Sequence, residues 1–225
     1  MSSLAVEGTG ISFAHHQNNK RLPVFENVDI SVAPNERVAI IGSSGSGKST
    51  LLAILSGRLT PDSGTVTLAG QSLAGLSETE RAKLRLQHVG TIYQDFRLLP
   101  RLTAIENVAI PLELLGNNRS HARQEAEKAL NAVGLGHRTD HRPHQLSGGE
   151  QQRVAIARAI VASPDVILAD ESTGSLDTES RDQILSLLLE LPRNPAIVVV
   201  THDNFVAEWA DRSLKLTQHQ LTVPA

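Results

Sequence analysis

RVAIIGSSGSGKST, residues 37–50, runs from a short apolar segment straight into a loop of glycines and serines that ends on a lysine and two hydroxyl residues. Arg37–Ile41 has the near-continuous apolar character of a strand buried on both faces of a parallel sheet. The residues that follow, Gly42, Ser43, Ser44, Gly45, Ser46, Gly47, Lys48, Ser49 and Thr50, match G-x-x-x-x-G-K-[ST]. In that spacing the glycines let backbone N–H groups wrap phosphates. The lysine reaches the outer phosphates, and the Ser49 hydroxyl is placed to ligate Mg2+. A helical pattern over 48–59 comes next, completing the strand–loop–helix context that a phosphate loop requires.

Working outward, three more runs read as buried strands: Val89–Tyr93, Val166–Ala169 and Ala196–Val200. Helical patterns alternate with them. Residues 150–161 stop at Ser163-Pro164, and 179–191 stop at Pro192, as helices do. This alternation predicts an α/β core with a parallel sheet. Residues 4–33 and 64–70 read instead as shorter strands with turns, an antiparallel β piece beside the core. Residues 95–145 read as mostly helical; over 120–133, Ala122, Ala126, Ala129, Leu130 and Val133 share one face before Gly134. The expectation is one nucleotide-binding module over 1–225, with a β annex and a helical annex at about 95–150.

The bulk properties fit this. The 225 residues carry a net charge of −3, which argues against a general nucleic-acid binder. There is no cysteine, so disulfides and thiolate metal sites are excluded. The N-terminal residues lack the basic start and apolar run of a signal peptide, and the apolar runs are too short to span a bilayer.

Acidic residues at the carboxyl end of a buried parallel strand face the crevice where such sheets bind ligands. Asp170 and Glu171 occupy that place after Val166–Ala169. The first can hold Mg2+, directly or through water, and the second can polarise an attacking water. His202, just past Ala196–Val200, either contacts a γ-phosphate or is structural. Gln94, after Val89–Tyr93, either ligates Mg2+ through its amide oxygen or closes a loop. His137, Asp140, His141 and His144 crowd together but lack ligands at helical spacing elsewhere, so they read as a polar surface loop.

LSGGEQQRVAIARA, residues 146–159, raises a separate question. Ser147 and Glu150 form the S-x-x-E pattern of a capping box, which starts a helix whatever the function. The consecutive glycines Gly148 and Gly149 add backbone freedom at an entropic cost unless something must approach closely. A helix start of this kind suits an anion. With only one phosphate-loop lysine in the chain, the economical solution is that this helix start meets the nucleotide held by a second copy.

These motifs, in this order, resemble the ABC-type ATPases along essentially the whole chain: the P-loop, Gln94 as the Q-loop, LSGGE as the signature, VILADE as Walker B, Ser175-Leu176-Asp177 as the D-loop and His202 as the switch histidine. The resemblance implies an ATPase whose two cassettes close around ATP and reopen after hydrolysis. It makes Glu171 the general base or water-polarising residue and brings His202 to the γ-phosphate. Ser147, Gly148 and Gly149 would face the γ-phosphate of the opposite subunit, and Asp177 the dimer seam. The family's base-stacking aromatic falls within 13–16, at His15 with Phe13 as the alternative. Departures from the family pattern are Ser172 after the Asp-Glu pair, Asn35 at a turn glycine, and Gln218-His219 in place of an Asp-Gly hairpin turn.

Residues 80–114 are similar to the group that contains the lipoprotein-release, macrolide-efflux and FtsE-type ATPases, and the flanks to its YbbA-like branch. Members pair with FtsX- or MacB-like membrane proteins, which implies a peripheral place on the cytoplasmic face of the bacterial inner membrane. The resemblance puts the docking groove for that partner after Gln94, at Leu98, Leu99, Pro100, Leu102 and Thr103. Those same leucines could instead fill the core of the helical annex. Among rivals, a soluble ABC ATPase usually fuses two cassettes or inserts a coiled coil, and this chain has neither. A kinase leaves LSGGE unexplained, and the N-K-x-D motif of a GTPase is missing.

Overall fold

A computed structural model describes residues 4–17, 20–171, 178–191, 194–217 and 219–223. The chain opens with β1 (Val6–Gln17), β2 (Lys20–Val32), β3 (Arg37–Ile41) and α1 (Lys48–Leu55). There follow β4 (Ser63–Leu68), β5 (Gln71–Ser72), α2 (Glu78–His88) and β6 (Val89–Ile92). Next are α3 (Ala104–Leu114), α4 (Arg119–Ala132), two short 3-10 turns (Gly136–Arg138 and Pro143–Gln145), α5 (Gly148–Ile160) and β7 (Val166–Asp170). The last elements are α6 (Thr178–Leu189), β8 (Ala196–Thr201), α7 (Asn204–Trp209), β9 (Arg212–Thr217) and β10 (Gln220–Thr222). They form two compact units, residues 1–85 with 196–225, and residues 86–195.

In the first unit β3 lies between β8 and β9 and is parallel to both, and β10 pairs antiparallel with β9. Every residue of β8 is buried, and Val38, Ala39 and Ile40 of β3 are fully so, which is why these segments read as unbroken apolar runs. The same unit holds an antiparallel sheet in the order β2-β1-β4-β5. Its first two strands are 12 and 13 residues long, longer than expected from the sequence. The excess lies at the exposed start of β2, where Lys20, Arg21 and Leu22 carry no apolar pattern to read. Asn35 takes φ 67°, the left-handed turn position expected of it. Helix α1 ends four residues before the expected 59, because Gly57 at φ 69° closes it.

In the second unit β6 and β7 are parallel, with Ile92 opposite Ala169. Helices α3, α4 and α5 pack on one another, and α5 also packs on β6. The interior of α4 is the face expected from the sequence, with Ala122, Ala126 and Leu130 fully buried. Asn118 caps its start by accepting from the His121 amide at 2.9 Å, and Gly134 at φ 74° closes its end. Parallel ladders with helices, an antiparallel sheet and a helical layer together make the expected α/β organisation. No helix among the described residues is long and apolar enough to cross a membrane.

Candidate functional site

In the first unit the parallel register sets two functional segments side by side. Ile41 is the partner of Thr201, so the chain leaves β3 into the phosphate loop where the neighbouring strand leaves β8 into His202. The loop is shaped by its glycines. Gly45 and Gly47 take φ 78° and 98°, a region that side chains rarely adopt. A Cβ on Gly42 would meet the Leu216 carbonyl oxygen at 2.6 Å, and one on Gly47 would run into Val24. A Cβ on Gly45 would meet nothing within 4 Å, so the backbone there lies open to a ligand.

Lys48 is buried, and its Nζ donates to the carbonyls of Gly42 and Ser43, each at 2.9 Å. The ammonium is thereby fixed inside the curve of the loop. Gly47 caps α1 without any side-chain acceptor, and a helix start of this kind suits an anion. Ser46 Oγ is buried and has no hydrogen-bond partner. An orphaned hydroxyl, an uncapped helix start and a fixed ammonium all fit a bound polyphosphate. Ser43, Ser44 and Ser49 are exposed, and Thr50 is half-buried.

His202 is exposed in a tight turn whose two sides are fixed: Thr201 Oγ1 accepts from the Asp203 amide, and Asp203 caps α7 by accepting from the Phe205 amide, both at 2.9 Å. The aromatic residues of β1 form a short series. His15 is exposed and packs edge-on to Phe13, with ring centres 5.2 Å apart. Phe13 lies 6.3 Å from Phe25, which is fully buried and adjoins the Gly47 position. His15 is thus the outward-facing ring of the series.

In the second unit, the pairing of Ile92 with Ala169 sends the exposed Gln94 and the half-buried Asp170 and Glu171 out of the same end of the β6–β7 ladder. Glu171 takes φ 44°, an uncommon backbone for a non-glycine residue. After Gln94 the chain makes another unusual turn, with Phe96 at φ 57° and Arg97 at φ 46°. Arg158 of α5 holds this turn by donating to both carbonyls, each at 2.6 Å. Sequence reading missed Arg158, because a bond across 62 residues leaves no local pattern.

The start of α5 is built as its S-x-x-E pattern requires. Ser147 Oγ accepts from the Glu150 amide at 3.2 Å, and Glu150 Oε2 accepts from the Ser147 amide at 2.8 Å. Ser147 and Gly148 are exposed, Gly149 is half-buried, and a Cβ on Gly148 would meet nothing within 4 Å. The turn presents bare backbone to whatever approaches. Asp177 and Ser172 lie outside the described residues.

The segment 98–103 is pinned from within. Asn107 is fully buried; its Oδ1 accepts from the Leu99 amide at 2.7 Å, and its Nδ2 donates to the carbonyls of Leu99, Leu102 and Thr103 at 3.2, 3.2 and 2.9 Å. Leu99 itself is 48% exposed, Pro100 is exposed, and Leu98, Leu102 and Thr103 are half-buried. The segment is therefore neither loose nor absorbed into the core. A cavity of about 200 Å³, lined by Leu86, Val89, Tyr93, Pro111, Arg158 and Ala162, opens in the same unit.

A family model described as ABC transporter matches residues 25–174. The chain is 45% identical over 227 residues to the lipoprotein-releasing system ATP-binding protein LolD of Hydrogenovibrio crunogenus, covering 100% of this chain and 99% of that protein. It is 48% identical over 217 residues to the protein of the same name in Psychrobacter arcticus, covering 95% and 96%. Among solved structures it is similar to the dimeric structure of MJ0796, a bacterial ABC transporter cassette, and to a dimeric post-hydrolysis state of that cassette bound to ADP and Pi. Each has a TM-score of 0.89, with 35% identity and 96% of both chains covered.

Proposed function

The chain belongs to the ABC transporter ATPase family, and from that premise we propose that it is the ATP-hydrolysing subunit of a LolD-type transporter, working as a pair of copies that drives an FtsX- or MacB-like membrane protein. The observation that carries the paired site is the start of α5. Its capping box pairs the Ser147 and Glu150 amides, and it leaves bare, exposed backbone at Gly148 in a chain with a single phosphate-loop lysine. Such a turn is an anion receptor in want of an anion, and a second copy's nucleotide supplies one.

In this reading Lys48 and the amides of 42–50 hold the ATP phosphates, and His15 stacks on the adenine. Ser49, Asp170 and Gln94 are the oxygen donors for Mg2+, a donor set suited to a hard cation. The metal ion would neutralise charge on the phosphates. Glu171 accepts a proton from the attacking water as its oxygen bonds to the γ-phosphorus and the bond to the ADP oxygen breaks. His202 steadies the γ-phosphate, Ser147, Gly148 and Gly149 receive it from the opposite copy, and Asp177 contributes at the seam. The membrane partner docks against the pinned segment 98–103 and the cavity lined by Tyr93 and Arg158. This makes the chain peripheral to the cytoplasmic face of the inner membrane, with no role for nucleic acid.

The test is affinity capture of tagged Glu171→Gln protein from detergent-solubilised native membranes with ATP, followed by mass spectrometry. Recovery of an FtsX- or MacB-like integral membrane protein is expected. Recovery of ribosomes or repair proteins without a membrane protein would overturn the transport reading and leave the ATPase chemistry standing.

A further inference from the structure

Glu150 is an unexpected neighbour for a phosphate. It sits at the third position of α5, and a carboxylate in the first turn of a helix uses the same positive end that a bound anion needs. The capping box asks only for an acceptor oxygen at that position, and a glutamine supplies one without charge. A full negative charge beside a γ-phosphate therefore works against binding unless something cancels it.

The structure supplies a cation for that purpose. After Gly134 closes α4, Leu135 is buried, and Gly136 passes directly beside the Asn131 side-chain amide. This tight path, continued by the 3-10 turn Gly136–Arg138, delivers Arg138 to the first turn of α5. Arg138 Nε donates to Glu150 Oε1 at 3.0 Å, while Glu150 Oε2 is engaged by the Ser147 amide. On its other side Arg138 Nη1 donates to His141 Nε2 at 3.2 Å, an arrangement in which the imidazole carries its proton on Nδ1. Hydrogen bonds from the Ser147 amide and hydroxyl, and then the Arg138 charge, hold the Glu150 carboxyl below the usual carboxylate range.

We propose that Arg138 is a positioning residue of the shared nucleotide site: it neutralises Glu150, so that the Ser147-Gly148-Gly149 turn can accept the γ-phosphate held by a second copy. The inference rests on the paired-site reading above. In a single chain the ion pair is partly exposed, with 37% of the Arg138 and 23% of the Glu150 side chain open to solvent, so it adds little to folding. Its effect grows when a second copy covers the turn and removes water.

The experiment places each variant in the Glu171→Gln background and measures, by light scattering, the ATP concentration that gives half-maximal dimer. Arg138→Gln should raise that concentration about five- to tenfold, the size of a charge effect at a helix start. Binding of a fluorescent ATP analogue to the single chain should stay the same, and so should the unfolding midpoint. The double variant Arg138→Gln/Glu150→Gln, which keeps the capping box but removes both charges, should return to within about twofold of the parent. No shift in Arg138→Gln would overturn the proposal. A shift that Glu150→Gln does not rescue would also overturn it, by showing that Arg138 acts through folding. A parent that stays monomeric would defeat the paired-site reading itself, a separate result because its Arg138 is intact.

Discussion

Arg158 donates through Nη2 to the carbonyl of Phe96 at 2.6 Å, tying the helix that begins at LSGGE to the segment that follows Gln94. Its Nη1 makes the matching bond to Arg97, and both acceptors stand at positive φ. The guanidinium meets the two carbonyls with two separate nitrogens in one rigid plane, whereas a lysine at this position would have to reach both from a single nitrogen. Arg158→Ala should therefore destabilise the protein by about 2–3 kcal/mol, through two unmet carbonyls and an unsupported turn. Arg158→Lys should recover only part of this. Urea unfolding followed by circular dichroism checks both; equal stability of wild type and Arg158→Lys would contradict the two-carbonyl account.

The two left-handed glycines of the phosphate loop should respond differently to alanine. At Gly45 the added methyl group meets nothing, so the cost is backbone strain alone, about 1–2 kcal/mol. At Gly47 the methyl group also drives into Val24, so the loop must move. Gly47→Ala should lose measurable ATP binding, whereas Gly45→Ala should fold well and bind ATP more weakly. Isothermal titration with thermal unfolding on the same samples separates the two cases.

The Arg37–Asp211 pair gives a prediction with a definite sign in pH. Hydrogen bonds from the Arg37 side chain, and then from its backbone amide, hold the Asp211 carboxyl below the usual range. A carboxylate depressed in the folded state adds stability above its unfolded value of about 3.9, and that stability is lost as pH falls through the lower folded value. Wild type should exceed Asp211→Asn at about pH 7 by less than about 1 kcal/mol, since the pair is half exposed. The gap should shrink toward about pH 3. A gap that stays constant or widens on acidification, in urea midpoints across this range, would run against the assignment.

For the adenine contact, His15 is the exposed ring and Phe13 the half-buried one behind it. His15→Ala should weaken ATP binding by about 1–2 kcal/mol, the size of one base-stacking contact, and His15→Tyr should preserve it. If Phe13 were the platform instead, His15→Ala would leave ATP affinity unchanged.

How much of this was legible in the sequence depended on whether the signal was local. The phosphate loop, the Ser147–Glu150 box and the apolar face of α4 are contained within a few residues, and each was readable. Helix α2 was overlooked although Ser77 and Glu80 make the same kind of reciprocal cap, at 2.8 and 3.4 Å; only Leu84 in it is buried, so it has no apolar stripe to announce it. Helix α7, six residues long, is too short for periodicity to show. The order of segment 98–103 was not readable because it comes from one side chain, Asn107, whose four bonds reach back as far as eight residues. The role of Arg138 was hidden for the same reason, twelve residues from the carboxylate it meets.

The central claim, that one copy's LSGGE turn completes the nucleotide site of another, is tested most directly by the mass of the Glu171→Gln protein in solution. Light scattering coupled to size exclusion, at saturating ATP and Mg2+, should show a species of twice the single-chain mass that returns to the single chain when ADP replaces ATP. A Glu171→Gln protein that binds ATP and still runs as a single chain would contradict the claim.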